Sequence, residues 1–284
     1  MKVKEKIMEY VFLLAAVVSI LAVALICIFL FANGIPAMKE IGFANFVLGE
    51  EWKPGNDVYG IFPMIIGSLY VTGGALVIGV PIGILMAIFM VCFCPNRVYK
   101  VLKPIVDLLA GIPSIVYGFF GLSVLVPFLR EHIDVRGYRG QSILCAAILL
   151  GIMILPTIID AAEPAIRAVE RSYYEGALAL GATHERGVFS VIVPAAGSGI
   201  LAAVILGVGR ALGETMAVMM VVGNQPRVPD SIFQGVRTLT TNIVMEMGYA
   251  TDLHREALIA TGVVLFVFIL IINVSFSALK RKKA

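Results

Sequence analysis

EGALALGATHERGVFSVIVP, residues 175–194, lies between two apolar runs and is too polar to cross a bilayer, yet too regular for a loop. On its approach from Asp160, Pro164 fits a first helical position, and Ile166, Val169, Tyr173, Ala177 and Leu180 recur at helical spacing. Gly181 fits the residue just past a helix end, and Thr183 fits the N-cap of a second short helix. Pro194 then opens the next apolar run. The spacing predicts two short amphipathic helices meeting at a glycine corner. Such a stripe either docks on a soluble partner or lies on lipid headgroups.

The flanking chain decides the class. Of 284 residues, 60% are hydrophobic and 14% charged, with a mean hydropathy of +0.96. A soluble domain is about 45–50% apolar and about 25% charged. Six stretches reach the length a helix needs to span a bilayer, about 20 apolar residues: roughly 10–32, 61–94, 105–129, 141–160, 196–223 and 256–279. The expectation is an all-α integral membrane protein with six transmembrane helices. The first run is too long for a signal-peptide core and no small-residue cleavage site follows it, so it reads as a retained span. Lys and Arg number thirteen on the side of the termini and eight on the other. The positive-inside rule therefore places both termini in the cytoplasm. The end clusters, Lys2, Lys4, Lys6 and Lys280, Arg281, Lys282, Lys283, suit the anionic headgroups of the bilayer.

Several functions are excluded. A net charge of +3 does not suggest nucleic acid. The four cysteines sit in or beside apolar blocks and the three histidines are scattered, so no metal site is expected, nor any cofactor. No lysine follows a glycine, so the chain has no P-loop and any ATP is hydrolysed elsewhere. Motifs of lipid-acting enzymes (His-Glu-x-x-His, Gly-x-Ser-x-Gly) are missing, and the chain is read as a transport subunit without catalysis.

GVGRALGETMAVMMVVGN, residues 207–224, poses the second question. Arg210 falls near the middle of the fifth apolar run, with Glu214 four positions on. Each charge costs about 2.5–3.5 kcal/mol at the centre of a membrane helix. Gly209 and Gly213 are spaced to let a neighbouring helix approach closely. Two readings stand. The pair is an ion bridge locking two helices, or Arg210 offers its planar fork to a passing oxyanion while Glu214 holds the guanidinium and keeps the anion from binding too tightly. Either way, neutralising one partner is expected to be worse than neutralising both. Thr215, with Ser114 and Tyr117 of GIPSIVYGFFG (111–121), adds hydroxyl donors to the same path.

EGALALG, nine residues, then VIVP resembles the EAA loop of ABC importer permeases, with Gly176, Val191 and Val193 as mild departures. GIPSIVYGFFGL (111–122), ILPTIIDAAEPAIRAV (154–169) and GVGRALGETMAVMMVVGN (207–224) extend the likeness to phosphate-specific permeases over nearly the whole chain, the PstC branch rather than the PstA branch. The resemblance implies a MetI-like core formed by spans 2–6, preceded by an extra N-terminal span. It divides the chain into residues 1–60, a transmembrane domain at 61–279 with its coupling segment at 163–194, and a basic tail at 280–284. It implies a bacterial plasma-membrane location and four kinds of contact: a PstA-like second permease, a homodimeric PstB-like ATPase, a PstS-like external phosphate-binding protein, and lipid. Glu175, Ala177, Gly181, Thr183, Glu185 and Pro194 carry over as the ATPase-coupling residues, and Arg210, Glu214 and Thr215 as the substrate path. A permease for sulfate or molybdate, or the sister phosphate permease, is the alternative. A secondary carrier coupled through Glu214 has no use for the coupling corner.

Overall fold

A computed structural model describes residues 2–283 apart from 134, 136 and 137, with side chains from residue 5 to 275. The basic residues at 2, 4, 136 and 280–283 lie outside those described side chains. Helix α1 (Lys2–Ile41) leads to α2 (Phe43–Leu48) and a two-stranded hairpin, β1 (Trp52–Lys53) and β2 (Val58–Tyr59). Helix α3 (Phe62–Ile88) ends in a π-helical turn, Phe89–Phe93, and α4 (Asn96–Gly111) follows. Next come α5 (Ser114–Phe120), a π-turn, α6 (Val126–His132) and α7 (Ile143–Arg167). The corner is α8 (Arg171–Ala179) and α9 (His184–Gly187), leading through a π-turn, Val188–Ile192, to α10 (Val193–Ala195). Helices α11 (Gly197–Gly213), α12 (Met216–Val221), α13 (Leu239–Glu246) and α14 (Asp252–Lys283) complete the chain.

Among the described residues, five spans are long and apolar enough to cross a membrane. A sixth forms if His184–Ala195 and Gly197–Gly213, bent by 69°, are counted as one. The lower half of α1 is exposed along its apolar length, as lipid contact requires, and its upper half packs antiparallel on α14 through Phe31 against Phe266. Both termini therefore share one end of the bundle (the termini end), and the β-hairpin marks the other.

Helix α7 is the axis of the core. Ile158, fully buried, seats its side chain against Gly83 of α3 and Gly207 of α11. A Cβ built on either glycine would lie 2.9 Å from that side chain, so both positions need hydrogen for the three helices to close. The loops at the hairpin end do not form a core of their own. They join one, with Trp52, Tyr59 and Leu239 buried against Met64, Leu258 and Ala260.

Three sequence expectations need correction. The third span starts at Ser114, not near 105, because Gly111 and Pro113 end the preceding helix. Residues 105–111 belong instead to α4, which is amphipathic and strapped along α7. Lys103 Nζ lies 2.7 Å from Asp160 Oδ1, and Tyr99 donates to Glu163 Oε1 at 2.6 Å. Burial pulls the Lys103 ammonium down, but its bonds to Asp160 and Asp107 more than offset that and raise it above the ordinary lysine value. The lysine's contribution to stability is thus complete below the ordinary lysine pKa and is lost only as pH climbs through the raised one. Second, Pro164 does not start a helix. It lies inside α7, which continues to Arg167 because Glu163 there holds Arg167 at 3.0 Å, and the corner begins only at Arg171. The predicted stripe is split accordingly, with Ile166 buried in α7 and Tyr173 exposed on α8. Third, Pro194 precedes the 69° bend at Ala196 rather than opening one continuous span.

Substituting Gly207→Ala should destabilise the purified protein by about 1–3 kcal/mol through overpacking. In Gly207→Ala/Ile158→Ala the loss should be smaller than the sum of the singles, because the added methyl then occupies the space that Ile158 vacates. Detergent-solubilised thermal melts of the four proteins check this, and additive losses would place the strain elsewhere.

Candidate functional site

The apolar run 196–223 is not one helix. α11 stops at Gly213, Glu214 is extended (φ −68, ψ 131), and α12 restarts at Met216. A helix broken within a bilayer exposes backbone groups that lipid cannot satisfy. Here side chains meet four of them. Glu214 Oε1 accepts from the amides of Thr215 (3.2 Å) and Ala217 (3.3 Å), so the carboxylate caps α12. The Thr215 hydroxyl donates to the Gly213 carbonyl at 3.2 Å, and Thr240, from α13, donates to the Glu214 carbonyl at 3.2 Å. Thr240 shares a hydrogen bond with Thr238, whose capping box with Thr241 starts α13, and Ser68 of α3 accepts from the Leu239 amide. Ser68 and Thr72 line the same small polar pocket as Glu214, Thr238 and Thr240. At about 1.5 Å per residue, these positions lie about 9–15 Å along α3 from its hairpin end. The break is in the half of its span nearer the hairpin end, not at the midpoint.

This geometry overturns the expected ion pair. The helix ends between Arg210 and Glu214, so the i,i+4 face that would join them does not exist. Arg210 is exposed on the last turn of α11 and makes no ion pair among the described residues. Gly209 and Gly213 have no neighbouring atom within 4 Å of a built Cβ, so no described residue packs closely on these two positions. The hydroxyl of Tyr117 donates to the Leu109 carbonyl at 2.9 Å and pins the corner between α4 and α5. Ser114 is half-buried at the start of α5. Sequence reading missed Thr240 and its neighbours. Their signal was TLTTN, residues 238–242, a capping-box threonine cluster inside an otherwise charged segment.

The glycine corner is formed as expected. Gly181 has φ +85 past the end of α8, and the Thr183 hydroxyl accepts from the Arg186 amide to cap α9. Glu175 pairs with Arg171 at 3.2 Å on the exposed surface, Ala177 is half-buried, and Glu185 and Pro194 are exposed. Leu180, the last residue of the predicted stripe, is 91% exposed at the tip. His184 and Tyr174, also missed, hold the corner to itself, with Nδ1 and hydroxyl 2.6 Å apart.

The end opposite the termini carries a buried clamp. Glu246 pairs with Arg237 through one oxygen, and through the other accepts from Trp52 Nε1 at 2.8 Å and lies 2.9 Å from His254 Nε2. It joins the β-hairpin to α13 and α14. Tyr59, beside it, has its hydroxyl pushed up to about 12 by burial and by its bond to Asp57.

Comparison with known proteins gives the following. The family described as binding-protein-dependent transport system inner membrane component matches residues 79–284. The probable ABC transporter permease protein YqgH of Bacillus subtilis is 40% identical over 275 residues, covering 94% of this chain and 88% of that protein. The phosphate transport system permease protein PstC of Mesorhizobium japonicum is 35% identical over 276 residues, 91% of this chain and 84% of its own length. Among solved structures, a bacterial ABC transporter involved in import of the acidic polysaccharide alginate superposes with a TM-score of 0.64 at 17% identity, over 99% of both chains.

The separation of Arg210 from Glu214 makes a measurable statement. In a double-mutant cycle with Arg210→Gln and Glu214→Gln, the coupling in thermal stability should stay below about 0.5 kcal/mol, as for independent sites. A coupling of several kcal/mol would restore the ion pair. Glu214→Ala alone should cost about 1 kcal/mol as a lost cap.

Proposed function

Because the chain belongs to the binding-protein-dependent transport system inner membrane components, we propose that it is the subunit of an ATP-driven importer through which inorganic phosphate crosses the membrane. The observation that carries the substrate is the similarity, over nine-tenths of the chain, to permeases named for phosphate transport. The physical support lies at Arg210. An exposed guanidinium on a spanning helix is costly unless it meets water, a partner or an anion. Glu214, held on the amides of α12, leaves that charge unneutralised. Gly209 and Gly213 keep the surrounding face open for a close approach. Arginine suits the task because its fork addresses two oxygens of one phosphate. The path residues are therefore Arg210 as cation, Thr215 and Ser114 as hydroxyl neighbours, and Glu214 as the group that fixes the break. Tyr117 acts by holding α5.

The open face of α11 meets a PstA-like second permease, and the path runs between the two subunits. The corner enters a groove on a PstB-like ATPase dimer, with Leu180 as its apolar knob and Glu175, Ala177, Gly181, Thr183, Glu185 and Pro194 shaping it. A PstS-like binding protein delivers phosphate at the hairpin end. The positive-inside count puts the termini in the cytoplasm of a bacterial cell, which agrees with a corner that meets an ATPase. Residues 61–279 form the permease unit, residues 1–60 add a lipid-facing helix and the outer hairpin, and 280–284 is a basic tail.

Purified complex in vesicles should take up phosphate only with ATP and binding protein present, and excess sulfate should leave the rate unchanged. Uptake driven by a proton gradient without ATP would sink the reading. In that complex Arg210→Gln should lower uptake at least about 10-fold, on the order of one charge-assisted contact, with assembly intact. Leu180→Asp should abolish co-purification of the ATPase while the two permeases stay paired, read from the composition of the purified complex.

A further inference from the structure

The corner is joined to the bundle by little. Helix α8 has no buried residue, and a crevice of about 580 Å³ separates it from the ends of α3 and α7, lined by Val91, Cys92, Ile166 and Arg167 on one side and Arg171 and Tyr174 on the other. One side chain bridges it. His184, at the first turn of α9, places Nε2 3.1 Å from the carbonyl of Cys92 in the π-turn that ends the second span. A carbonyl only accepts, so Nε2 carries the proton. Nδ1 is then met by the Tyr174 hydroxyl at 2.6 Å, and the ring stands edge-on to Phe93 with centroids 4.8 Å apart. Among the described residues, no other side-chain hydrogen bond runs from the corner helices to the rest of the chain.

The span that His184 grips leads back to the break. From Cys92, α3 runs through Gly83, wedged on Ile158, to Ser68 and Thr72, which line the pocket beside Glu214. The second span is therefore a continuous rod between the corner and the interrupted helix, and His184 is its attachment.

We infer that His184 is the positioning residue through which displacement of the coupling corner is delivered to the second span. This rests on the importer reading above and adds to it the site of force transfer within this subunit. The imidazole does not touch phosphate or ATP. It fixes the distance between α9 and the π-turn, so that a push on Leu180 moves Cys92 rather than closing the crevice.

The test measures phosphate taken up and ATP hydrolysed by the same complex in vesicles. For His184→Ala the ratio of phosphate to ATP should fall at least about fivefold, the order of one lost hydrogen bond, while the ATPase still co-purifies and still turns over. His184→Gln, whose amide nitrogen reaches the Cys92 carbonyl, should restore the ratio to within about twofold of the parent. An unchanged ratio in His184→Ala overturns the inference, as does a lowered ratio that Gln fails to rescue, because the ring is then needed only for packing. If His184→Ala fails to assemble, Tyr174→Phe, which removes only the hydroxyl bonded to Nδ1, replaces it and should lower the ratio. No change there also overturns the inference. Failure of the parent complex to show ATP-dependent uptake counts against the importer reading instead.

Discussion

A bilayer offers no water to a backbone whose helix stops inside it, and the interruption at Gly213–Thr215 is where this chain meets that constraint. Three side-chain oxygens resolve it, two from the break itself and one from Thr240. Thr240 reaches the site only because residues 223–246 fold back into the bundle, with Gly223 at φ +85 and bridged to Val236. That segment is fixed in turn by the Thr238 box, by Ser68 and by the Arg237–Glu246 pair, to which Trp52 ties the hairpin. Much of the architecture at the end opposite the termini is thus tied, through Thr240, to the backbone groups freed at this break.

The same break changes what the conspicuous charges do. A carboxylate capping a helix has two amide donors and little need of a guanidinium. Arg210 is left projecting from the final turn of α11, where the C-terminal carbonyls of a helix favour a cation. Charge separation is thus imposed by backbone geometry, not by distance along the sequence.

The spans and the corner were legible because each rests on a local signal: twenty apolar residues, a positive-φ glycine, a threonine ahead of a short helix. The errors share a cause. Apolar periodicity through 196–223 concealed the interruption because Gly-Glu-Thr is short and its capping role depends on Glu214 turning forward onto Ala217. Pro164 carries a helix-start signal, but tertiary contacts of Asp160, Glu163 and Arg167 continue α7 past it. Residues 105–111 are apolar enough to suggest a span, and only the pairing of Lys103 and Tyr99 with α7 shows that α4 lies along the bundle. His184 gave no sign at all, since its partners are a tyrosine ten residues away and a carbonyl ninety-two residues away.

Ile158, held between Gly83 and Gly207, limits how the bundle can change shape. Two helices can slide past one another only if their interlocked side chains swap sockets, and here one side chain occupies sockets on both neighbours. Shear between α3, α7 and α11 is blocked in either direction. In the importer proposed above, a change in which end of the bundle Arg210 faces comes from rotation of this trio as a rigid block rather than from sliding within it.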